Sequence, residues 1–137
     1  MSEESNIKTV QTAYECFGRG DLQGILDLMT DDVSWNSPNV DGADFYGSKT
    51  GKAGATEFFV GLGSRESSPE FEPREFFSAG DKVVVLGRWA STVTETGKRW
   101  ETEFSHTFTF RDGKVCAWHE LFDNLAASKA FQKSAAA

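Results

Sequence analysis

The spacing of apolar and polar positions changes period once along the chain. The first half carries helical stripes and the second half alternates. Ile7, Val10, Tyr14 and Phe17 recur at three- and four-residue steps, the stripe of an amphipathic helix. Ser2 or Ser5 can cap its start, with Glu3 and Glu4 near the positive end, and Gly18-Arg19-Gly20 ends it. Asp21 caps a second, short helix whose buried side is Leu22, Ile25, Leu26 and Met29, and Thr30-Asp31-Asp32 breaks it. Residues 33–36 read as a short strand, stopped by Pro38. Residues 37–51, rich in Gly, Asp, Ser and Asn, predict a loop, and helical pattern returns over residues 53–62.

From residue 71 onward the pattern is mostly strand. Residues 71–78 form one, with Pro73 tolerated near its start or at an edge. Ala79-Gly80-Asp81 turns the chain into a long strand over residues 82–94, and Glu95-Thr96-Gly97 turns it again. Residues 100–123 are two alternating runs around an Asp-Gly turn, a β-hairpin. Asp123 caps a last helix through Ala126, Ala127 and Phe131, and the tail, residues 133–137, is expected to fray. Helices first and an antiparallel meander last indicate an α+β fold, its N-terminal helices packed over the concave face of a curved antiparallel sheet. Helices closing such a sheet like a cone leave a blind pocket among its inward side chains.

The hairpin register decides which side chains meet. Phe104, His106, Phe108 and Phe110 share one parity, as do Cys116, Trp118, Glu120 and Phe122. A three-residue loop, Arg111-Asp112-Gly113, pairs Phe110 with Lys114, His106 with Trp118 and Phe104 with Glu120, all on one face. A two-residue Asp112-Gly113 loop shifts the partner by one and turns Glu120 away. The three-residue loop gathers the aromatic residues and is the expectation here. A three-residue loop at residues 95–97 then sets Arg88 opposite Phe104 and Leu86 opposite His106. Arg88, His106 and Glu120 converge on an aromatic wall, as the candidate catalytic set. Burial raises a carboxylate pKa and a guanidinium lowers it, so a Glu between the two can act as a base near neutrality. The competing reading is a buried Arg88–Glu120 ion pair with His106 completing a structural network. Trp35, Phe104, Trp118 and Phe122 are candidate pocket walls. Asn36 and Tyr14, the latter from the first helical stripe, are further candidate substrate contacts, and only one of Trp35 and Asn36 can point inward from their strand.

Composition narrows the partners. The formal net charge of −7 disfavours nucleic acid, since phosphate contacts need clustered Lys and Arg. Twelve Phe and four Trp suit both a core and a pocket for a small hydrophobic molecule. Two cysteines far apart in sequence fit buried thiols in a reducing, cytoplasmic setting, and no apolar run approaches a membrane span or a signal peptide. Neither metal nor cofactor is expected. Two near-misses to a phosphate loop, residues 42–49 and 47–52, have the wrong order or spacing. His119-Glu120 mimics a zinc-protease motif in letters only, lacking the helix and the second His, and strand parity sets His119 on the opposite face from His106.

The runs Tyr14–Leu22, Met29–Trp35 and Ala79–Arg88, and the hairpin Phe104–Val115 followed by Glu120-Leu121-Phe122-Asp123, resemble the SnoaL-like polyketide cyclase family. It belongs to the nuclear transport factor 2-like (NTF2-like), ketosteroid isomerase-like superfamily of cystatin-like fold. The resemblance implies a cone-shaped barrel, a deep hydrophobic pocket and a homodimer formed through the sheet's outer face. The isomerases' basic Asp falls on Ser37, their Tyr on Ala13, one step from Tyr14, and their oxyanion-hole Asp on His106. The cyclases' acidic base falls on Glu120. Against limonene epoxide hydrolases, Glu120 and Arg88 match in kind, Asn36 matches a water-holding Asn, and the second Asp is Ala90. The implied function is cofactor-free acid/base chemistry of isomerase, cyclase or hydrolase type. The alternatives are a non-catalytic ligand-binding protein and a domain with a filled core.

Overall fold

The computed structural model describes residues 2–133. In chain order its elements are α1 (Glu3–Arg19), α2 (Leu22–Leu26), β1 (Met29–Asn36), β2 (Ser48–Thr50), α3 (Gly51–Arg65), β3 (Glu66–Ala79), β4 (Lys82–Val93), β5 (Arg99–Arg111), β6 (Lys114–Phe122) and α4 (Asn124–Phe131). The fold is α+β: four helices and a strongly curled six-stranded half-barrel in the order β2-β1-β6-β5-β4-β3. Every neighbouring pair is antiparallel except β1 and β6, which run parallel where the last strand returns beside the first.

The ends of the helices follow local chemistry. Ser2 caps α1 by accepting from the Ser5 backbone N–H, and the Ser5 hydroxyl oxygen accepts from the Ser2 N–H, a reciprocal pair that satisfies two free donors. Asp123 caps α4 by accepting from the Ala126 N–H. Three elements run beyond the expected bounds because sheet pairing outweighs local preference. Met29 and Thr30-Asp31-Asp32 are extended, with Met29 opposite Val115, so α2 stops at Leu26. The short strand β2 lies inside the expected loop and pairs with Ser34, Trp35 and Asn36. Strand β3 begins at Glu66, where polar residues hide the alternation, and its partner is β4. Pro73 sits on this edge strand beside a register shift, where a missing N–H does least harm. The expectation for the tail falls, beyond Lys133, outside the described residues.

Both predicted registers need correcting. Asp112 (φ 52°) and Gly113 (φ 79°) are both left-handed, so the β5–β6 hairpin closes with two residues and Arg111 faces Lys114. That turn alone would point Glu120 outward. The pairing then slips: Phe110 faces Val115 but Thr109 faces Ala117, leaving Cys116 as a bulge residue. The bulge restores parity, and Glu120 faces inward, opposite His106 rather than Phe104. At the β4–β5 connection Val93 N–H bonds Lys98 O, so four residues bridge the strands instead of three. The extra residue reverses the faces of β4: Val85 lies opposite His106, and Arg88 lies opposite Glu103 on the outer surface.

The core fills the concave side. Val83, Val85 and Trp89 of β4, the even-numbered residues of β5, and Trp118 and Glu120 of β6 are buried there beneath α1 and α3. Gly87 is required by a close approach, because a Cβ there would stand 2.3 Å from Glu72 O and 2.6 Å from the Phe104 ring. Its absence lets Phe104 lie against the sheet and stack on His106, centroids 4.2 Å apart. Among the described residues no helix is long and apolar enough to cross a membrane.

Candidate active site

Three polar side chains form a line across the floor of the half-barrel. The Tyr14 hydroxyl on α1 lies 2.9 Å from His106 Nδ1, and His106 Nε2 lies 3.1 Å from Glu120 Oε2. The strand pairing of His106 with Glu120 sets the second contact, and the α1 stripe lowers Tyr14 onto the first. Both ring nitrogens of His106 are therefore engaged. The second oxygen of Glu120, Oε1, is buried and has no hydrogen-bond partner. Aromatic rings enclose the line: Trp118 meets His106 edge-on at 5.0 Å and stacks on Trp35 at 4.1 Å.

Burial dominates the electrostatics. It pushes the Glu120 carboxyl up to about 8 and the His106 imidazole down to about 3, because a charge on either is poorly solvated there. Burial, and then the nearby Glu120, also raise the Tyr14 hydroxyl. The pair is thus uncharged at neutral pH. One arrangement that satisfies both contacts has Glu120 Oε2–H donating to Nε2 and Nδ1–H donating to Tyr14 Oη. Among the described residues no guanidinium bonds Glu120 to hold it ionised.

Two neighbouring spaces share part of their lining, and one of them lies at this line. An inner chamber of about 70 Å³ is lined by Tyr14, Trp35, Phe108, Trp118, His106 and Glu120, among others. An outer cleft of about 400 Å³ opens between α1, α2, α3 and the β3–β4 edge. Phe17, Ile25, Phe59, Leu62 and Trp89 line both, so these neck residues are wall common to the two spaces. The chamber holds a few atoms, whereas the cleft falls within the roughly 300–1,000 Å³ typical of ligand sites.

A second buried carboxyl stands in the outer cleft. Glu66, where α3 passes into β3, accepts from Tyr46 Oη at 2.6 Å and from Trp100 Nε1 at 3.1 Å. Burial raises its pKa, while these donors, and the Ser91 hydroxyl close by, pull it down. That hydroxyl falls outside hydrogen-bond geometry, and Ser91 Oγ and Trp89 Nε1 are both buried without a partner.

The sequence-predicted residues divide. Glu120, His106, Tyr14, Trp35 and Trp118 meet at the inner chamber. Arg88 does not: on the outer face it pairs with Glu101 at 2.6 Å, Glu72 at 2.9 Å and Glu70 at 3.7 Å. Asn36 points away from Trp35 and donates to Ser34 Oγ and Trp118 O, binding β1 to β6. Phe104 backs His106 from behind, and Phe122 packs on Tyr46 and Trp100, so neither lines the chamber. His119 is exposed on the far side, as parity predicts. The sequence reading missed Glu66, which lies in a polar run with no alternation, and the neck residues Phe17, Phe59 and Trp89. Among the described residues no group of three His, Cys, Asp or Glu could hold a metal ion.

Comparison with known proteins agrees with this architecture. A family model, the SnoaL-like domain, matches residues 10–118. No curated protein matches the sequence. An NTF2-like protein of unknown function from Burkholderia pseudomallei is 29% identical, with 96% of this chain and 99% of that one covered and a TM-score of 0.84. TerC, co-crystallised with polyporic acid, is 33% identical over 93% of this chain and 98% of its own, with a TM-score of 0.81. A candidate SnoaL-like polyketide cyclase from Jannaschia sp. CCS1 shares the fold at 20% identity over 93% and 92%, with a TM-score of 0.80.

Proposed function

The chain belongs to the SnoaL-like family, and on that premise we propose that it is a cofactor-free enzyme moving a proton on a small hydrophobic molecule. Glu120 is the transferring group. The observation that carries the reading is the state of its two oxygens: Oε2 is tied to His106, while Oε1 is buried at the chamber with no partner. In the ionised form Oε1 takes a proton from an acidic C–H. That bond breaks, its electron pair passes onto the adjoining carbonyl oxygen, and the proton returns from Oε1 to carbon or oxygen at the end of the cycle. His106 is a positioning residue, since both its nitrogens are occupied and neither is free for the developing oxyanion. Trp35 Nε1, buried and unpartnered in the chamber wall, is the donor available for that oxyanion. The capture of polyporic acid by TerC supports a small organic guest for this chain as well. A homodimer and a cytoplasmic setting belong to the same reading, the latter suiting the free thiols Cys16 and Cys116.

Exchange of a carbon-bound proton tests this without knowledge of the natural substrate. With 2-tetralone in D2O, followed by proton NMR, the protein accelerates loss of the α-proton signal over buffer. The rate rises with pH to a plateau just above 8, as Glu120 ionises. Glu120→Gln lowers it by about 10²-fold or more. Unchanged exchange in Glu120→Gln removes Glu120 from the chemistry. A second reading, binding without turnover, is favoured by the small inner chamber. It predicts saturable 2-tetralone binding with no exchange above buffer.

A further inference from the structure

We propose that the outer cleft is a second polar pole, formed by Glu66, Ser91 and Trp89, that binds an oxygen-bearing group at the far end of the ligand. The ligand class is then a flat, mainly apolar molecule with a hydroxyl or carbonyl group at each end. This rests on the reading of the chamber at Glu120 as the site of the reacting end.

Three observations meet here. The first is space: the cleft of about 400 Å³ and the chamber lie side by side and share an apolar wall of Phe17, Ile25, Phe59, Leu62 and Trp89, which a ligand reaching both would have to pass. The second is a set of unused donors. Ser91 is 1% exposed and Trp89 7% exposed, both line the cleft, and Ser91 Oγ and Trp89 Nε1 have no partner. Leaving such groups unpaired carries a desolvation cost that an alanine or phenylalanine would avoid. The third is an oriented acceptor. Tyr46 and Trp100 each donate one hydrogen bond to Glu66, which fixes the carboxyl in a wall of the cleft. A carboxylate has lone pairs to spare after two such bonds. A ligand hydroxyl can donate to Glu66 while accepting from Ser91 or Trp89. A structural clamp explains Tyr46, Glu66 and Trp100, and takes in Ser91, whose hydroxyl is close enough to Glu66 to lower its pKa, but leaves Trp89 Nε1 unaccounted for.

The probes are 2-naphthol, with one polar end, and 2,6-dihydroxynaphthalene, with two, titrated by quenching of tryptophan fluorescence. The wild-type protein is expected to bind the two-ended probe about tenfold more tightly, the gain of one added buried hydrogen bond. Ser91→Ala, a small change at a buried position, should abolish that preference by lowering the affinity for the two-ended probe about tenfold; Glu66→Gln should reduce the preference as well. Equal affinities in the wild type, a preference that survives both substitutions, or no binding of either naphthol each overturn the inference. Glu120→Gln, measured alongside, separates the two readings. It keeps the two-ended preference if the outer pole is real, and it loses 2-tetralone exchange if the inner reading is right.

Discussion

Glu120 and His106 respond to pH in opposite senses, and the fold must accommodate both. Burial holds the carboxyl near 8 against an ordinary 4.5, so the folded chain keeps a proton that the unfolded chain releases. The stability due to that proton is fully present below 4.5 and is lost as pH rises through 8. Burial holds the imidazole near 3 against 6.5, so its contribution is present above 6.5 and is lost as pH falls through 3. Between pH 4.5 and 6.5 the two slopes cancel. Urea denaturation should therefore show a plateau in that window and a decline above it. In Glu120→Gln the alkaline decline from this group disappears, a difference on the order of 4 kcal/mol between pH 5 and 9. An unchanged alkaline slope in the variant shows that Glu120 ionises freely, with no burial effect. The faces of Glu120 and His106 were legible from strand alternation. Their direct pairing, and the Tyr14 contact, were not, because each depends on an interval set elsewhere in the chain.

At the scale of elements, turn length and bulges govern what the sheet presents. Alternation placed Arg88 inside because a three-residue connection was assumed after β4, and one more residue there moved it out. On the outer face Arg88 is surrounded by Glu70, Glu72 and Glu101, while Arg99 also bonds Glu70. Exposed pairs of this kind are screened and contribute little. Arg88→Ala should leave 2-tetralone exchange within twofold of wild type and the pH midpoint unmoved. A tenfold loss of exchange with the fold intact, by circular dichroism, contradicts the placement. The β5–β6 hairpin shows the same rule with a second device. The Asp-Gly pair announces a tight turn, but the bulge at Cys116 has no signature in residue type, so the register came out two residues off while the face came out right.

For the whole molecule, the period change along the sequence sufficed for the α+β arrangement, and the aromatic content anticipated a lined pocket. The cleft itself was not legible, since α1, α2, α3 and two strands contribute to it from distant parts of the chain. The outer sheet face carries a row of Leu86, Ser105 and Leu121, with Leu121 57% and Leu86 37% exposed. Such a row suits burial against a second copy. Light scattering should report a dimer at micromolar concentration, and Leu121→Glu should shift it to monomer. A wild-type monomer, or a variant that stays dimeric, places any interface elsewhere.

The bulge at Cys116 also sets the register of the hairpin tip apart from that of the interior. Between residues 109 and 117 the ladder already changes step, so a foreign peptide exchanged for Asp112-Gly113 need only rejoin Arg111 and Lys114. The extra residue behind it keeps the deeper pairing in phase. The tip is thus a natural grafting point, at which an added segment leaves the distance from His106 to Glu120 as it is.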